Sequence, residues 1–219
     1  MFSVFVAAAT ATAPTPAPPL PINVPDVRAI FSADDFPQYF VARGLSRNVY
    51  TKITVRQDGG IQGCVAEYSS GDPKLDVHTC QLIIRRVKFH PATWTDGSPV
   101  YGVIRVPISW AINNEPTSEE ALLNAVVPDL ELTVNQLPKG ARSNVGVGLD
   151  IAADAQGRPV TCLEGAIRLR PDDRRHYPEL VSIACQRVMS GVTLPPPIDA
   201  SGKPERSVQT FFVQFKVGR

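Results

Sequence analysis

No stretch of this chain approaches the ~18–20 consecutive apolar residues that cross a bilayer as a helix, so the sequence as read contains no spanning helix. Excess charge of one sign is also missing: 22 basic and 21 acidic side chains leave a net +1 over 219 residues. A balance that even gives no general pull toward nucleic acid or an anionic surface. The three histidines, His78, His90 and His176, are scattered along the chain, and no Gly-x-Ser-x-Gly elbow occurs to supply the activated serine of a hydrolytic triad. No phosphate-cradling glycine motif occurs. The four cysteines lack the C-x-x-C-type spacing or neighbouring histidines that metal ligation and redox dithiols require. An enzyme is not expected, nor a metal, a cofactor or a small-molecule substrate.

Proline is what the chain has in plenty, 21 residues against an average near 5%. Several fall in Ala13-Pro14-Thr15-Pro16-Ala17-Pro18-Pro19-Leu20-Pro21, which lacks the amide donors for helix or ladder and reads as an extended, polyproline-like spacer. Ahead of it, Met1 to Ala9 is apolar and runs into Ala-x-Ala spacing at Ala9 and Ala11. That reads as the end of an export signal without its basic start, or as a misplaced start codon. Residues 1–23 are therefore set apart as leader and spacer.

Lining up the cysteines exposes an internal repeat. Gly59 to Cys64 spans five positions, as does Gly157 to Cys162; Cys80 to Gly97 spans seventeen, as does Cys185 to Gly202. Gly97 to Trp110 and Gly202 to Phe215 are both thirteen. The entrances match as well, Val24-Pro25-Asp26 with Phe36-Pro37 against Val127-Pro128-Asp129 with Leu137-Pro138. Repeats of this kind are supersecondary units copied in tandem. The division that follows is one domain over residues 24–113, a linker with a short capped helix over 114–126, and a diverged copy over 127–219.

Each copy reads as α+β, a three-stranded antiparallel sheet with helices on one face. Val49, Thr51, Ile53 and Val55 alternate toward an Asp58-Gly59 hairpin signal. Cys80, Ile83, Ile84 and Val87 form a helical stripe, matched by Cys185, Val188, Met189 and Val192. Ile104, Val106, Ile108 and Trp110 line a last strand, matched by Phe211, Val213 and Phe215. Asp72, Asp76, Asp172 and Asp173 read as turn or N-cap carboxylates. The four-arginine insertion Arg168 to Tyr177 reads as a solvated loop or a site for an anionic partner.

Phe36-Pro37, Asp58-Gly59, Ser69-Ser70-Gly71, Leu75-Asp76, Phe89, Pro91-Ala92, Gly97, Pro99-Val100 and Pro107-Ile108 with Trp110 follow one another in an order that resembles the TonB C-terminal domain. The match covers about residues 32–112; the second copy joins it only through the repeat. The resemblance implies a Gram-negative periplasmic protein. It implies a partner protein, a segment of an outer-membrane transporter or another envelope protein, bound by strand addition.

Two readings follow for particular residues. Cys64, Cys80, Cys162 and Cys185 are either one strand-to-helix disulfide per copy, Cys64 with Cys80 and Cys162 with Cys185, or buried free thiols; disulfides imply an oxidising compartment. Pro107 breaks the donor row of the first copy's last strand, whereas Val208, Gln209, Thr210, Phe211, Phe212, Val213, Gln214 and Phe215 contain no proline. That segment is expected to receive a partner strand or a second copy of the protein as a homodimer, with Phe212 facing outward, unless the edge is hidden against the first copy. Beside TonB-like transport coupling stands an envelope adaptor that uses tandem domains to dimerise or bridge.

Overall fold

The computed structural model describes residues 30–41, 47–110, 127–141, 144–165 and 177–218. The leader and spacer, the inter-copy linker and the arginines of the 168–177 insertion lie outside the described residues. In the first half the order is a 3-10 turn (Ala33–Asp35), α1 (Gln38–Val41), β1 (Arg47–Val55), β2 (Ile61–Tyr68), α2 (Pro73–Arg86), β3 (Ala92–Thr93) and β4 (Pro99–Trp110). The second half runs β5 (Leu130–Val134), β6 (Asn144–Ala153), β7 (Pro159–Glu164), α3 (Pro178–Gly191) and β8 (Ser207–Val217).

The two halves share one sheet. All eight strands belong to one mixed sheet in the order β2-β1-β4-β8-β6-β7, with β3 beside β4 and β5 beside β8. The seam is a parallel pairing of the two equivalent last strands, Tyr101 to Val103 against Ser207 to Gln209. This overturns the expectation of two tandem three-stranded antiparallel sheets. A three-stranded unit leaves its last strand as an open row of donors and acceptors, and joining two such rows satisfies both. The helices are not on one face either. Opposed residues in a ladder share a face, and Gly102 opposes Val208. Val208 and its β6 neighbour Ala152 accordingly join the core under α2, with Ile53, Ile104, Val106 and Ile108. Phe211, Val213 and Phe215 point the other way, into the core under α3 with Val147, Leu149 and Ile151. The halves are thus related by a near-twofold axis along the strands, and each helix covers the opposite side of the sheet.

Local chemistry repeats faithfully across that axis. Gly59 and Gly157 both have positive φ (80° and 77°), and an added Cβ would lie 2.3 Å from the Phe89 carbonyl oxygen in one half and 2.0 Å from that of Leu194 in the other. Glycine is required at both hairpins, since a side chain would displace the following loop. On the helices the buried rows are Leu75, Thr79, Ile83 and Leu180, Ala184, Val188, an i, i+4, i+8 line. Of the stripe expected from the sequence, Cys80, Ile83, Val87 and Val188 are buried, whereas Ile84 and Met189 face solvent at 51% and 43% exposure. One substitution between copies is compensated. Trp110 donates its indole N–H to Thr79 Oγ1 at 2.9 Å, satisfying a buried polar group, while the equivalent pair is Phe215 and Ala184, neither of which needs a partner.

Both cysteine pairs are disulfides. Cys64–Cys80 ties β2 to α2, and Cys162–Cys185 ties β7 to α3. β2 and β7 are the outermost strands of the sheet, so each bond holds a strand that has a ladder on one side only.

Candidate functional site

The strand singled out for partner binding is in the middle of the sheet. β8 pairs along its whole length with β6, from Asn144↔Lys216 to Ala153↔Ser207. On its other side β4 takes Ser207 to Gln209, and β5 takes Val213 to Val217 in parallel. The stretch between is closed by Asp129, whose N–H donates to the Phe212 carbonyl at 2.9 Å and whose carboxylate accepts from the Phe212 N–H at 2.8 Å. Val208, Gln209, Thr210, Phe211, Phe212, Val213, Gln214 and Phe215 therefore present no open edge, and Phe212 is buried at 3% exposure. The outward-facing Phe212 is corrected on the same ground. Of the two alternatives, a hidden edge is observed, against the first half only at Ser207 to Gln209 and against Asp129 and β5 of the second half beyond it. A signal for it was present: Phe211-Phe212-Val213 is apolar on both faces, the mark of an interior strand.

Arg105 holds the fork where β4 and β8 part. It is the repeat equivalent of Thr210 and touches it: the Arg105 N–H donates to Thr210 Oγ1 at 3.1 Å. Its guanidinium donates to Glu67 at 2.5 and 3.1 Å, to Asp129 at 2.5 and 2.8 Å, and to the Thr210 carbonyl at 3.2 Å. It also lies over the Phe212 ring at 5.6 Å. One cation thus joins β2, β4, β8 and the entrance to β5. Such two-sided bidentate pairing is a property of the planar arginine fork. Beside it Tyr50 and Tyr68 meet edge-on, and burial pushes the Tyr50 hydroxyl up to about 12.

With β8 enclosed, the ends of the sheet order are β2 and β7. β7 is six residues long and begins with Pro159, an amide-free position that blunts an edge. β2 has eight residues, Ile61-Gln-Gly-Cys-Val-Ala-Glu-Tyr68, with no proline. Val65 is 58% exposed, and Gly63 has nothing within 4 Å of where a Cβ would stand. Bulged pairing with β1 falls at both ends of β2, leaving Thr51 to Thr54 regularly opposed to Ala66 to Gly63. The disulfide to α2 keeps this outer strand in place.

A second feature is a strap, residues 30–41, bound along α2 from its first turn, at Pro73, to its last residue, Arg86. Arg86 chelates the Asp35 carboxylate at 2.6 and 2.7 Å and donates to the Ile30 carbonyl at 3.0 Å. His78 Nε2 is 2.8 Å from the Asp35 carbonyl oxygen. Phe31 and Phe36 each meet Trp110 edge-on at 5.3 Å. The hydrogen bonds from Arg86, and then that from the Ser32 N–H, hold the Asp35 carboxyl far below the usual carboxylate range. A depressed acid contributes stability above its unfolded value, near 3.9, and loses it as pH falls through the folded one. Asp35→Asn is therefore expected to lower Tm by a few degrees at pH 7, with the gap from the parent constant between about pH 5 and 8 and narrowing below about pH 4. Equal melting of the two proteins at pH 7 would show that the strap is not held by this pair.

The remaining sequence candidates are structural here. Asp72 caps α2, accepting from Lys74 N–H at 2.8 Å and Leu75 N–H at 3.4 Å. Asp76 accepts from the Ser70 N–H at 2.9 Å and from the Ser69 hydroxyl at 2.5 Å, closing the Ser-Ser-Gly turn. Asp172, Asp173 and His176 fall outside the described residues. Among the described residues no helix is long and apolar enough to cross a membrane, and no group of three potential metal ligands converges. Comparison with protein-family models, curated proteins and solved structures finds nothing that matches this chain.

Proposed function

We propose that this is a TonB-like periplasmic binding protein that takes an extended segment of an envelope protein, such as an outer-membrane transporter, as an added strand along β2. The observation that carries the reading is the outer edge of β2: eight residues, no proline, at the end of the sheet order and fixed to α2 by a disulfide. Strand addition draws its affinity from main-chain hydrogen bonds and its selectivity from alternate side chains. Here the alternate positions are Gly63 and Val65, which leave room for an apolar side chain on the incoming strand. Two disulfides fit an oxidising compartment, and the sequence resemblance directs the reading to the periplasm. A second reading, an adaptor that bridges two partners, is favoured by the placement of β2 and β7 at opposite ends of one sheet.

A charge placed on an open edge opposes pairing without disturbing the ladder beneath it. Val65→Lys is expected to reduce capture of outer-membrane transporters from solubilised envelope at least tenfold, with Tm unchanged. Val160→Lys, at an exposed position of β7, is expected to leave capture intact. Loss of capture with Val160→Lys alone would move the site to β7; loss with each substitution separately would favour bridging. Undiminished capture in both variants would remove strand addition at the sheet ends.

A further inference from the structure

Between the strap and the first turns of α2 runs a groove of about 770 Å³. Its walls include Phe36, Pro37, Tyr39, Pro73, Val77 and His78. Tyr39 and Val77 are 39% and 57% exposed, more open than apolar side chains over a closed core. Gln38, Lys74 and Gln81 stand along the rim. Aromatic and proline walls with side-chain donors at the rim are what a polyproline II segment requires. That helix makes no internal hydrogen bonds, so its carbonyls remain to be met, and its ordering cost is already small.

We infer that the occupant is the chain's own proline-rich segment, Ala13 to Pro21, folded back onto this groove. The segment carries five prolines and no charge, so it conflicts with neither Lys74 nor Asp34. Eight residues separate Pro21 from Ile30, a reach of roughly 30 Å at ~3.3 Å per residue, and the groove begins four residues beyond Ile30, at Asp34. From Pro73 to Gln81 the helix side is about 12 Å long at 1.5 Å per residue. At 3.1 Å per residue, four or five residues of a polyproline II helix cover that length. A tether this short holds the segment at a millimolar effective concentration, so even weak contacts suffice to populate the docked form. The consequence is a leader whose direction of exit from the domain is set by α2.

The test compares amide ¹H–¹⁵N spectra of the full chain with those of the full chain bearing Pro14→Ser, Pro16→Ser, Pro18→Ser, Pro19→Ser and Pro21→Ser. Docking predicts shift changes concentrated at Gln38, Tyr39 and Lys74 to Gln81. Those changes should vanish when the comparison is repeated in a Val77→Glu background, a substitution at an exposed helix position. A synthetic peptide of residues 11–21, added at millimolar concentration to the serine variant, should return the same amides toward their parent positions. Absence of any shift at these amides, or shifts along β2 instead, overturns the proposal. Shifts that grow with protein concentration would assign the groove to the segment of a neighbouring copy and overturn the intramolecular form.

Discussion

Arg105→Met is expected to destabilise the protein by about 3–5 kcal/mol, the cost of breaking a largely buried ion pair from one side. Arg105 is 16% exposed and its two carboxylate partners 20% each, so neither Glu67 nor Asp129 can recover full hydration when the guanidinium is gone. The cation also fastens three parts of the sheet that share no long ladder: β2, the β4–β8 fork, and the start of β5 through Asp129. Methionine retains most of the apolar bulk over Phe212, which isolates the charge from the packing. Adding Glu67→Gln and Asp129→Asn to Arg105→Met should recover part of the loss, because Arg105→Met alone leaves the carboxylates with only Lys52, 3.8 Å from Glu67, and the Phe212 N–H on Asp129, and residues in one network do not add. Urea denaturation of the three proteins, parent, single and triple variant, reads this directly. A loss below about 1 kcal/mol for Arg105→Met would mean that the cluster behaves as an ordinary surface pair and that the fork is held by the β-ladders alone.

Removing the second half's disulfide should unfold the first half at lower denaturant. In the chain-entropy model a bond closing 16 residues contributes roughly 3 kcal/mol, and one closing 23 about 3.5. The informative variant is Cys162→Ala with Cys185→Ala. Both tryptophans belong to the first half, but Arg206 of the second half lies over Trp94 at 5.1 Å, so in a Trp94→Phe background the fluorescence of buried Trp110 reports the first half alone. Two independent domains would leave the fluorescence transition where it was. One sheet with a shared seam, in which Val208 and Ala152 complete the core under α2, should move fluorescence and far-ultraviolet circular dichroism together by about 3 kcal/mol. A fluorescence midpoint unchanged from the parent would show that the seam does not couple the halves.

What was legible in the sequence is local chemistry. Asp58-Gly59 and the Asp96-Gly97 turn need glycine at positive φ wherever the chain reverses, and they mark those turns without reference to the rest of the fold. Asp72 before Pro73 opens α2 because its carboxylate meets orphan amides of the first turn. The repeat could be read because each half retains the same close contacts, such as Gly59 on Phe89 and Gly157 on Leu194. The disulfide pairing followed from that repeat.

The joining of the halves could not be read in the same way. A parallel pair has no turn of its own; Tyr101 to Val103 meets Ser207 to Gln209 across a hundred residues, with nothing in either segment that names the other. The proline in β4 was informative but was carried too far. Pro107 does lie beyond Val103, where β4 has parted from β8, yet its absence from Val208 to Phe215 did not make that strand an edge. Backbone edges are distributed by the whole sheet: β8 became interior because the near-twofold axis sets it against β4 and because β5 and Asp129 cover what β4 leaves. The same assembly put β2 and β7 at the ends of the strand order and drew Arg105, Glu67 and Asp129 into one cluster. Turns, caps and helix faces were thus determined residue by residue. Which strands are left open to a partner is a property of the sheet's order, and only the tertiary structure decides it, because a ladder belongs to two strands at once.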